Sequence, residues 1–350
     1  MSAATRVAAI DCGTNSVRLL IADISGDELV EIERRMEIVR LGQGVDRTGR
    51  LAPEALERTF TAMRGYAKLI AGHDAERVRV VATSATRDAA NRDDFVRGVV
   101  EIFGVEPEVI TGKEEAQLSF TGATKDLAAL RPMRPYLVVD IGGGSTEFVL
   151  GTTEVEASRS VDIGCVRMTE RHLCSDPPSP EQLAAAVADI DAALAAVRTG
   201  ESTRDEAAAR AGEATFAEAD LADASAGMPL PPPPPAPPLV PPIPVERART
   251  LVGLAGSVTT VAGIALDLPE YDSERIHLSR VKVRQVHDVT RMLLHSTHDE
   301  RAAIGVMHPG RVDVIGAGAL ILDRIMREYG FNDVVVSEHD ILDGIAWSLV

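Results

Sequence analysis

Lysine and aromatic side chains are scarce in this chain of 350 residues. Only Lys68, Lys113, Lys125 and Lys282 stand among 36 lysines and arginines, and Phe, Trp and Tyr together make up 3%. Cores must therefore be built mainly from Val, Leu, Ile and Ala. No run of about 18 apolar residues occurs, so no membrane-spanning helix is expected. The N-terminus carries no charged-then-apolar leader and enters an apolar segment directly, so a cytoplasmic location is expected. Cysteine is limited to Cys12, Cys165 and Cys174, without a pairing pattern or metal spacing; free thiols in a reducing compartment are the expectation. Net positive charge is also missing. A formal charge of −17 argues against a nucleic-acid partner, which needs a basic footprint. It leaves room for a polyanionic substrate, because a few arginines and a metal ion can dominate one cleft.

What is present is a pair of matching glycine turns. Ala8-Ala9-Ile10-Asp11-Cys12-Gly13-Thr14-Asn15-Ser16 leads into Val17 to Ile24, and Leu137-Val138-Val139-Asp140-Ile141-Gly142-Gly143-Gly144-Ser145-Thr146-Glu147 leads into Phe148-Val149-Leu150. Each reads as strand, tight turn, strand. Glycine permits positive φ and lets backbone N–H groups converge on one small volume, which suits phosphate oxygens. An aspartate at each strand end can hold a divalent metal beside them. Two such hairpins predict a phosphate clasped between two related half-domains.

The intervening pattern supports that repeat. Hairpin 6–24 and a strand at 29–40 precede a helix at 53–71, where Leu56, Phe60, Met63, Ala67 and Ile70 recur at helical spacing. A strand at 78–82, a turn and helix at 84–103, a strand at 105–110 and a Thr111-capped helix at 112–127 follow. The strand-rich start recurs at Tyr136 with hairpin, strand 155–161 and helices. A strand at 251–255 opens a helix at Gly256-Ser257, whose amides can face an anion. Later helices are expected at 287–295, 311–329 and 341–349, with a strand at 334–337. The expected domains are 1–127 and 128–350, with the last helix returning to the first. Segment 199–246 breaks the pattern. It carries eight acids and two arginines, and 11 of the 16 residues from Pro229 to Pro244 are proline; an exposed, mostly disordered insert is expected.

Several side chains in this frame could carry chemistry. Asp11, Asp140 and Glu147 suit turn structure, and equally a metal or a phosphate-bound water. Gly13, Thr14, Asn15, Ser16, Gly143, Gly144 and Ser145 offer neutral donors. Glu114 and Glu115 stabilise a helix N-terminus, and a carboxylate there could also deprotonate a water. Arg87, on a loop after a strand, offers a planar fork for phosphate, with Asn91 one turn later. Arg18 and Arg167 are further candidates. His295 and His298 have helical spacing but no third ligand nearby, and read as a solvated helix end.

Together these residues resemble the exopolyphosphatase/guanosine pentaphosphatase (Ppx/GppA) family. The likeness is carried by 9–16, by Ala82-Thr83-Ser84-Ala85-Thr86-Arg87 with Asn91, and by Gly112-Lys113-Glu114-Glu115-Ala116. It continues through 140–147, Gly253-Leu254-Ala255-Gly256-Ser257-Val258-Thr259-Thr260, 311–318 and Val336-Ser337-Glu338, in family order. The resemblance implies an α/β fold of the actin-like ATPase superfamily, with ribonuclease H-like repeats and an inter-domain cleft. It implies hydrolysis of a terminal phosphoanhydride of inorganic polyphosphate or guanosine pentaphosphate, aided by Mg²⁺ or Mn²⁺. By position, Glu115 would be the general base, Asp11, Asp140 and Glu147 would serve metal and water placement, and Arg87 would bind phosphate. Gly256 and Ser257 would contact substrate, and a homodimer is compatible with the family. The chain is similar to the short two-domain members, so the helical C-terminal domains that grip long polyphosphate are not expected. It departs from the family pattern in the Pro-rich segment and in Gly256-Ser257-Val258 where Gly-Thr-Ala is commoner. Sugar or acetate-type kinases share the Asp-x-Gly-Thr turn, but Asn15-Ser16 and Glu114-Glu115-Ala116 favour the hydrolase. A nucleotide-binding assembly protein of the same fold would polymerise with ATP.

Overall fold

The computed structural model describes residues 4–130, 132–201 and 241–350. The first apolar run is β1 (Thr5–Cys12), which turns at Gly13 into antiparallel β2 (Ser16–Ser25), followed by β3 (Glu28–Ile38). Helix α1 (Pro53–Gly72) places proline in its first turn, where a missing N–H costs no helical hydrogen bond. It buries Leu56, Met63, Tyr66 and Ile70 on one stripe. Then come β4 (Arg77–Ala82), α2 (Arg92–Phe103), β5 (Glu108–Val109) and α3 (Gly112–Thr124). β4 runs parallel to β1, and the first sheet has the order β3-β2-β1-β4-β5.

The second half repeats this plan. Strands β6 (Tyr136–Ile141), β7 (Thr146–Gly151) and β8 (Val155–Val161) form an antiparallel meander. Helices α4 (Cys165–His172) and α5 (Pro180–Thr199) precede β9 (Thr250–Leu254) and α6 (Ala255–Ala265). β10 (Arg280–Lys282), α7 (Val283–His295), α8 (Ile315–Glu328), β11 (Asp333–Val336) and α9 (Ile341–Trp347) follow, with short helical turns between the longer elements. The second sheet reads β10-β11-β9-β6-β7-β8. Without β10 its order matches the first sheet read backwards, strand for strand. This is the duplicated ribonuclease H-like arrangement of the actin-type fold.

The two sheets are not sealed off from each other. Ile341, Leu342, Ile345 and Ala346 of α9 pack against Val7, Ala9, Leu20 and Ala22 on the first sheet. Each large aliphatic side chain buried there contributes about 1.5–3 kcal/mol. α9 also lies close against α3, where no side chain intervenes at Gly122 and Gly344.

Some element boundaries differ from the sequence expectations. Strand 105–110 is reduced to Glu108–Val109, because Pro107 has no N–H to give the ladder. The helix expected from Arg311 starts at Ile315, and Arg311 ends the 3-10 turn Pro309–Arg311. The helix expected to run to Leu127 stops at Thr124, before the 3-10 turn Asp126–Leu130. The segment read as an insert over 199–246 is ordered structure at both margins. Thr199 ends α5, and Ile243 and Val245 are buried in the second core. Its remainder, with most of the expected polyproline stretch, lies outside the described residues. No helix among the described residues is long and apolar enough to cross a membrane.

Candidate active site

The two glycine turns are built alike. Gly13 N–H donates to Ser16 O at 2.9 Å, and Gly142 N–H to Ser145 O at 3.0 Å. The expectation that these glycines supply positive φ is corrected: none of Gly13, Gly142, Gly143 and Gly144 has it. Proximity explains the glycines of the second turn instead. A Cβ on Gly143 would meet Thr14 Cβ at 2.9 Å, and one on Gly144 would meet Ser84 Oγ at 2.6 Å. The turns therefore touch, and Thr14 Oγ1 and Ser84 Oγ hydrogen-bond at 2.9 Å beside them.

Strand register makes the halves equivalent in position and opposite in charge. Asp11 pairs across β1–β2 with Arg18, whereas Asp140 pairs across β6–β7 with Glu147. Asp11 Oδ2 accepts from Arg18 Nη2 at 2.7 Å, and Arg18 also pairs with Asp340. The other oxygen, Asp11 Oδ1, is buried without a hydrogen-bond partner among the described residues. Asp140 Oδ2 accepts from Ser119 Oγ at 2.6 Å. Glu147 Oε1 accepts from Ser145 Oγ at 2.7 Å and from Ser160 Oγ, its neighbour across β7–β8, at 2.8 Å. Glu115 sits in the first turn of α3, one turn before Ser119, so one helix face delivers the glutamate and fixes Asp140. Glu115 Oε2 accepts from Arg87 Nη1 at 3.1 Å.

Burial of several carboxylates together perturbs them all. Burial, followed by the charge of Glu147, pushes Glu115 well above the ordinary glutamate range, against the pull of Arg87. Asp140 is pushed up to about 7 by burial, then by Glu147 and Asp340. Glu147 is raised by burial despite its two serine donors, and Asp11 by burial despite Arg18. Burial also acts on Asp340, but Arg18, the Leu342 amide and Arg34 together hold this carboxyl below the usual range.

The structure gathers most of the candidates around one cavity of about 100 Å³. Asp11, Gly13, Thr14, Asn15, Ser16, Glu115, Asp140, Gly143, Ser145, Gly256 and Ser257 line it. Arg87 and Glu147 stand behind that lining. Arg87 Nη1 also donates to Ile110 O at 2.9 Å, and its Nη2 has no partner among the described residues. Gly144 lies in an adjoining crevice with Thr14 and Arg167. Arg167 donates to Gly144 O at 2.8 Å and pairs with Asp46 and Asp88, which ties the second turn to the first half. Asn91 does not join the group. Its side-chain oxygen accepts from Leu51 N–H at 2.8 Å and its amide donates to Leu51 O at 3.1 Å, so it braces a loop start. Glu114 is taken up by Thr111 in a capping box, which leaves Glu115 alone facing the cleft.

Arg311 was missed as a site residue. Its guanidinium leans over Gly256, where a Cβ would meet Arg311 Cζ at 2.2 Å. It touches Thr260 Oγ1 at 3.3 Å and Met36 Sδ at 3.4 Å, and no carboxylate pairs with it among the described residues. It borders both the cavity and an adjoining groove of about 420 Å³ lined by Arg34, Arg35, Tyr271, Met307 and Glu338. The only sequence signal was its place at the head of the 311–318 motif. Ala255, also on the cavity wall, has φ of 66°, a conformation that strains a residue with a side chain.

The cleft carboxylates are chemically suited to a divalent cation, although among the described residues no three of their ligand atoms lie within 4.8 Å of one another. Asp11 Oδ1, Asp140 Oδ1, Glu115 Oε1 and Glu147 Oε2 accept no hydrogen bond from the described residues, and Asp11 Oδ1 is an orphaned buried oxygen. Carboxylate oxygens are hard ligands, suited to Mg²⁺ or Mn²⁺.

Comparison with known proteins places the chain in a family. The sequence model of the Ppx/GppA phosphatase family matches residues 20–217. Exopolyphosphatase 2 of Mycobacterium tuberculosis is 47% identical, over 99% of each chain. A solved exopolyphosphatase-like protein superposes with a TM-score of 0.83 at 39% identity, covering 99% of this chain and 98% of its own. The Aquifex aeolicus PPX-GPPA enzyme superposes with a TM-score of 0.73 at 29% identity, over 99% of each chain.

Proposed function

The chain belongs to the Ppx/GppA phosphatase family, and from that premise we propose that it is an exopolyphosphatase, releasing orthophosphate from the end of inorganic polyphosphate. The observation that carries this reading is the size and wall of the cleft. About 100 Å³ is far below the ~300–1,000 Å³ of pockets that enclose whole small molecules. Such a cavity admits a terminal phosphoryl group and its attacking water, while the rest of the chain stays outside. Arg311 stands where the cavity meets the groove, as a cation for the penultimate phosphates.

In this reading Glu115 accepts a proton from the water as its oxygen attacks the terminal phosphorus. The bond from that phosphorus to the bridging oxygen breaks, and the shortened chain leaves with the oxygen. Arg87 holds Glu115 in place and keeps one arm for phosphate. The two turns, Ser257 and the start of α6 supply neutral donors, and such preorganised dipoles act on a charged, loose transition state without reorganising. Asp11, Asp140 and Glu147 are the residues to hold Mg²⁺ or Mn²⁺, which when bound would neutralise phosphate charge. We assign residues 1–127 and 128–350 as the halves that flank the cleft, in a cytoplasmic enzyme whose Cys12 and Cys165 are buried free thiols.

Guanosine pentaphosphate is the second substrate to weigh, because Tyr271, Met307 and Pro309 give the adjoining groove an apolar wall that a purine could meet. The test is phosphate release from both substrates at equal terminal-phosphate concentration, with and without Mg²⁺. Release from polyphosphate is expected to be the faster. No release from it under any metal condition rejects the proposal.

A further inference from the structure

A second cluster of ligating side chains lies away from the cleft. Asp126 opens the 3-10 turn that follows α3, His277 caps the short helix Ser273–Ile276, and His339 lies between β11 and α9. These segments are distant in sequence, yet one ligand atom from each residue lies within 4.8 Å of the others. His339 Nδ1 hydrogen-bonds Asp126 Oδ2, and the two imidazole centroids are 4.7 Å apart. None of the three lines the catalytic cavity. The backbone at His339 is fixed, since its N–H donates to Ser337 Oγ at 3.1 Å while that hydroxyl donates to His339 O at 2.8 Å.

We propose that Asp126, His277 and His339 form a binding site for a divalent transition-metal ion such as Zn²⁺. Two imidazole nitrogens and one carboxylate oxygen make a borderline donor set that suits Zn²⁺, whereas Mg²⁺ favours all-oxygen sites. Three protein ligands leave the fourth tetrahedral position for water, and the partly exposed side chains of His339 and Asp126, 37% and 46% accessible, admit it. The ion staples three segments that share no covalent neighbourhood.

Loading has a consequence next door. Glu338 N–H donates to His277 Nδ1 at 3.2 Å. A neutral imidazole has one in-plane lone pair, so His277 cannot ligate and accept that hydrogen bond together. The ion therefore releases the Glu338 amide, which belongs to the wall of the groove beside the cleft.

The test is titration of the full chain with Zn²⁺ alone by calorimetry, in a Cys174→Ser background that removes the exposed thiol. One equivalent is expected to bind, to persist in excess Mg²⁺, and to persist in Asp140→Asn/Glu147→Gln. His277→Ala and His339→Ala should each weaken it at least about tenfold. Co²⁺ in the same site should show the visible absorption of a tetrahedral nitrogen–oxygen set. Circular dichroism checks folding, and Asp126→Asn, on an exposed side chain, serves if a histidine variant unfolds. No binding, binding indifferent to all three ligand changes, or binding lost in the cleft variant overturns the proposal.

Discussion

Glu115 is a buried carboxylate whose one arm is held by Arg87 and whose other oxygen has no donor among the described residues. Glu115→Gln keeps that shape and removes the base, so kcat should fall by about 10²–10⁴ while KM changes little. Wild-type turnover in this variant would falsify the assignment. The sign of the pH dependence follows from the same surroundings. The base works when ionised, and burial and Glu147 raise its pKa, so kcat/KM should rise with pH through a region above the ordinary glutamate range. Glu147→Gln deletes one negative neighbour, which lowers the pKa of Glu115. The acid limb of the residual activity should therefore move to lower pH, and an unmoved limb would separate the two groups. Ala255 offers a stability test at the same wall. Its φ of 66° costs an alanine roughly 1–2 kcal/mol, so Ala255→Gly should raise Tm, offset in part by the freer unfolded chain. A lowered Tm would mean that the methyl group does more than strain the backbone. At this scale the sequence was a good guide where chemistry is local. Asp140, Glu115 and the turn residues were legible because each follows a strand or opens a helix. Arg311 and Asp340 were not, because nothing near them in sequence shows what they face. Asn91 was misplaced because spacing from Arg87 says nothing about Leu51.

Among elements, the contact between α3 and α9 is the most demanding. A Cβ on Gly122 would lie 1.8 Å from Asp340 O, and backbone cannot give way as a side chain can. Gly122→Ala should destabilise the protein by about 1–3 kcal/mol, and should also lower kcat by displacing Asp340 from Arg18. Gly65, inside α1, has nothing within 4 Å of its Cβ position. The same substitution there should stabilise by about 0.5–1 kcal/mol. Urea unfolding of both variants checks the pair, and equal signs would contradict the packing described for α3 and α9. The strands of both hairpins were legible because long apolar runs end at turn residues. The α3–α9 contact was hidden, since glycine in a helix reads in sequence as weakness and its partner lies more than 200 positions away.

For the whole molecule, the described fold closes without the segment between α5 and β9. Ile243 N–H donates to Val197 O at 2.9 Å, so its two margins already meet. Replacing residues 202–240 with a short Gly/Ser linker should leave Tm within a few degrees and kcat/KM at high salt unchanged, because loop closure depends only weakly on length. At low salt the deletion removes negative charge and should modestly speed capture of a polyanion. A large drop in Tm would show that the segment packs on the core. The duplication itself was visible as two matching turns, but the way the halves are joined was not. Arg18 stands on the second strand of the chain, and its partner Asp340 stands just before α9. The apolar face of β1 and β2 is covered by that same late helix. During synthesis, which proceeds from the N-terminus, the first sheet must therefore wait with Val7, Ala9, Leu20 and Ala22 uncovered until more than 300 further residues have been made. A nascent chain halted at residue 330 already holds both glycine turns and the base, yet it lacks the counter-charge that completes Arg18. Such a chain should bind chaperones and hydrolyse nothing, so that catalysis begins only when translation of this helix is complete.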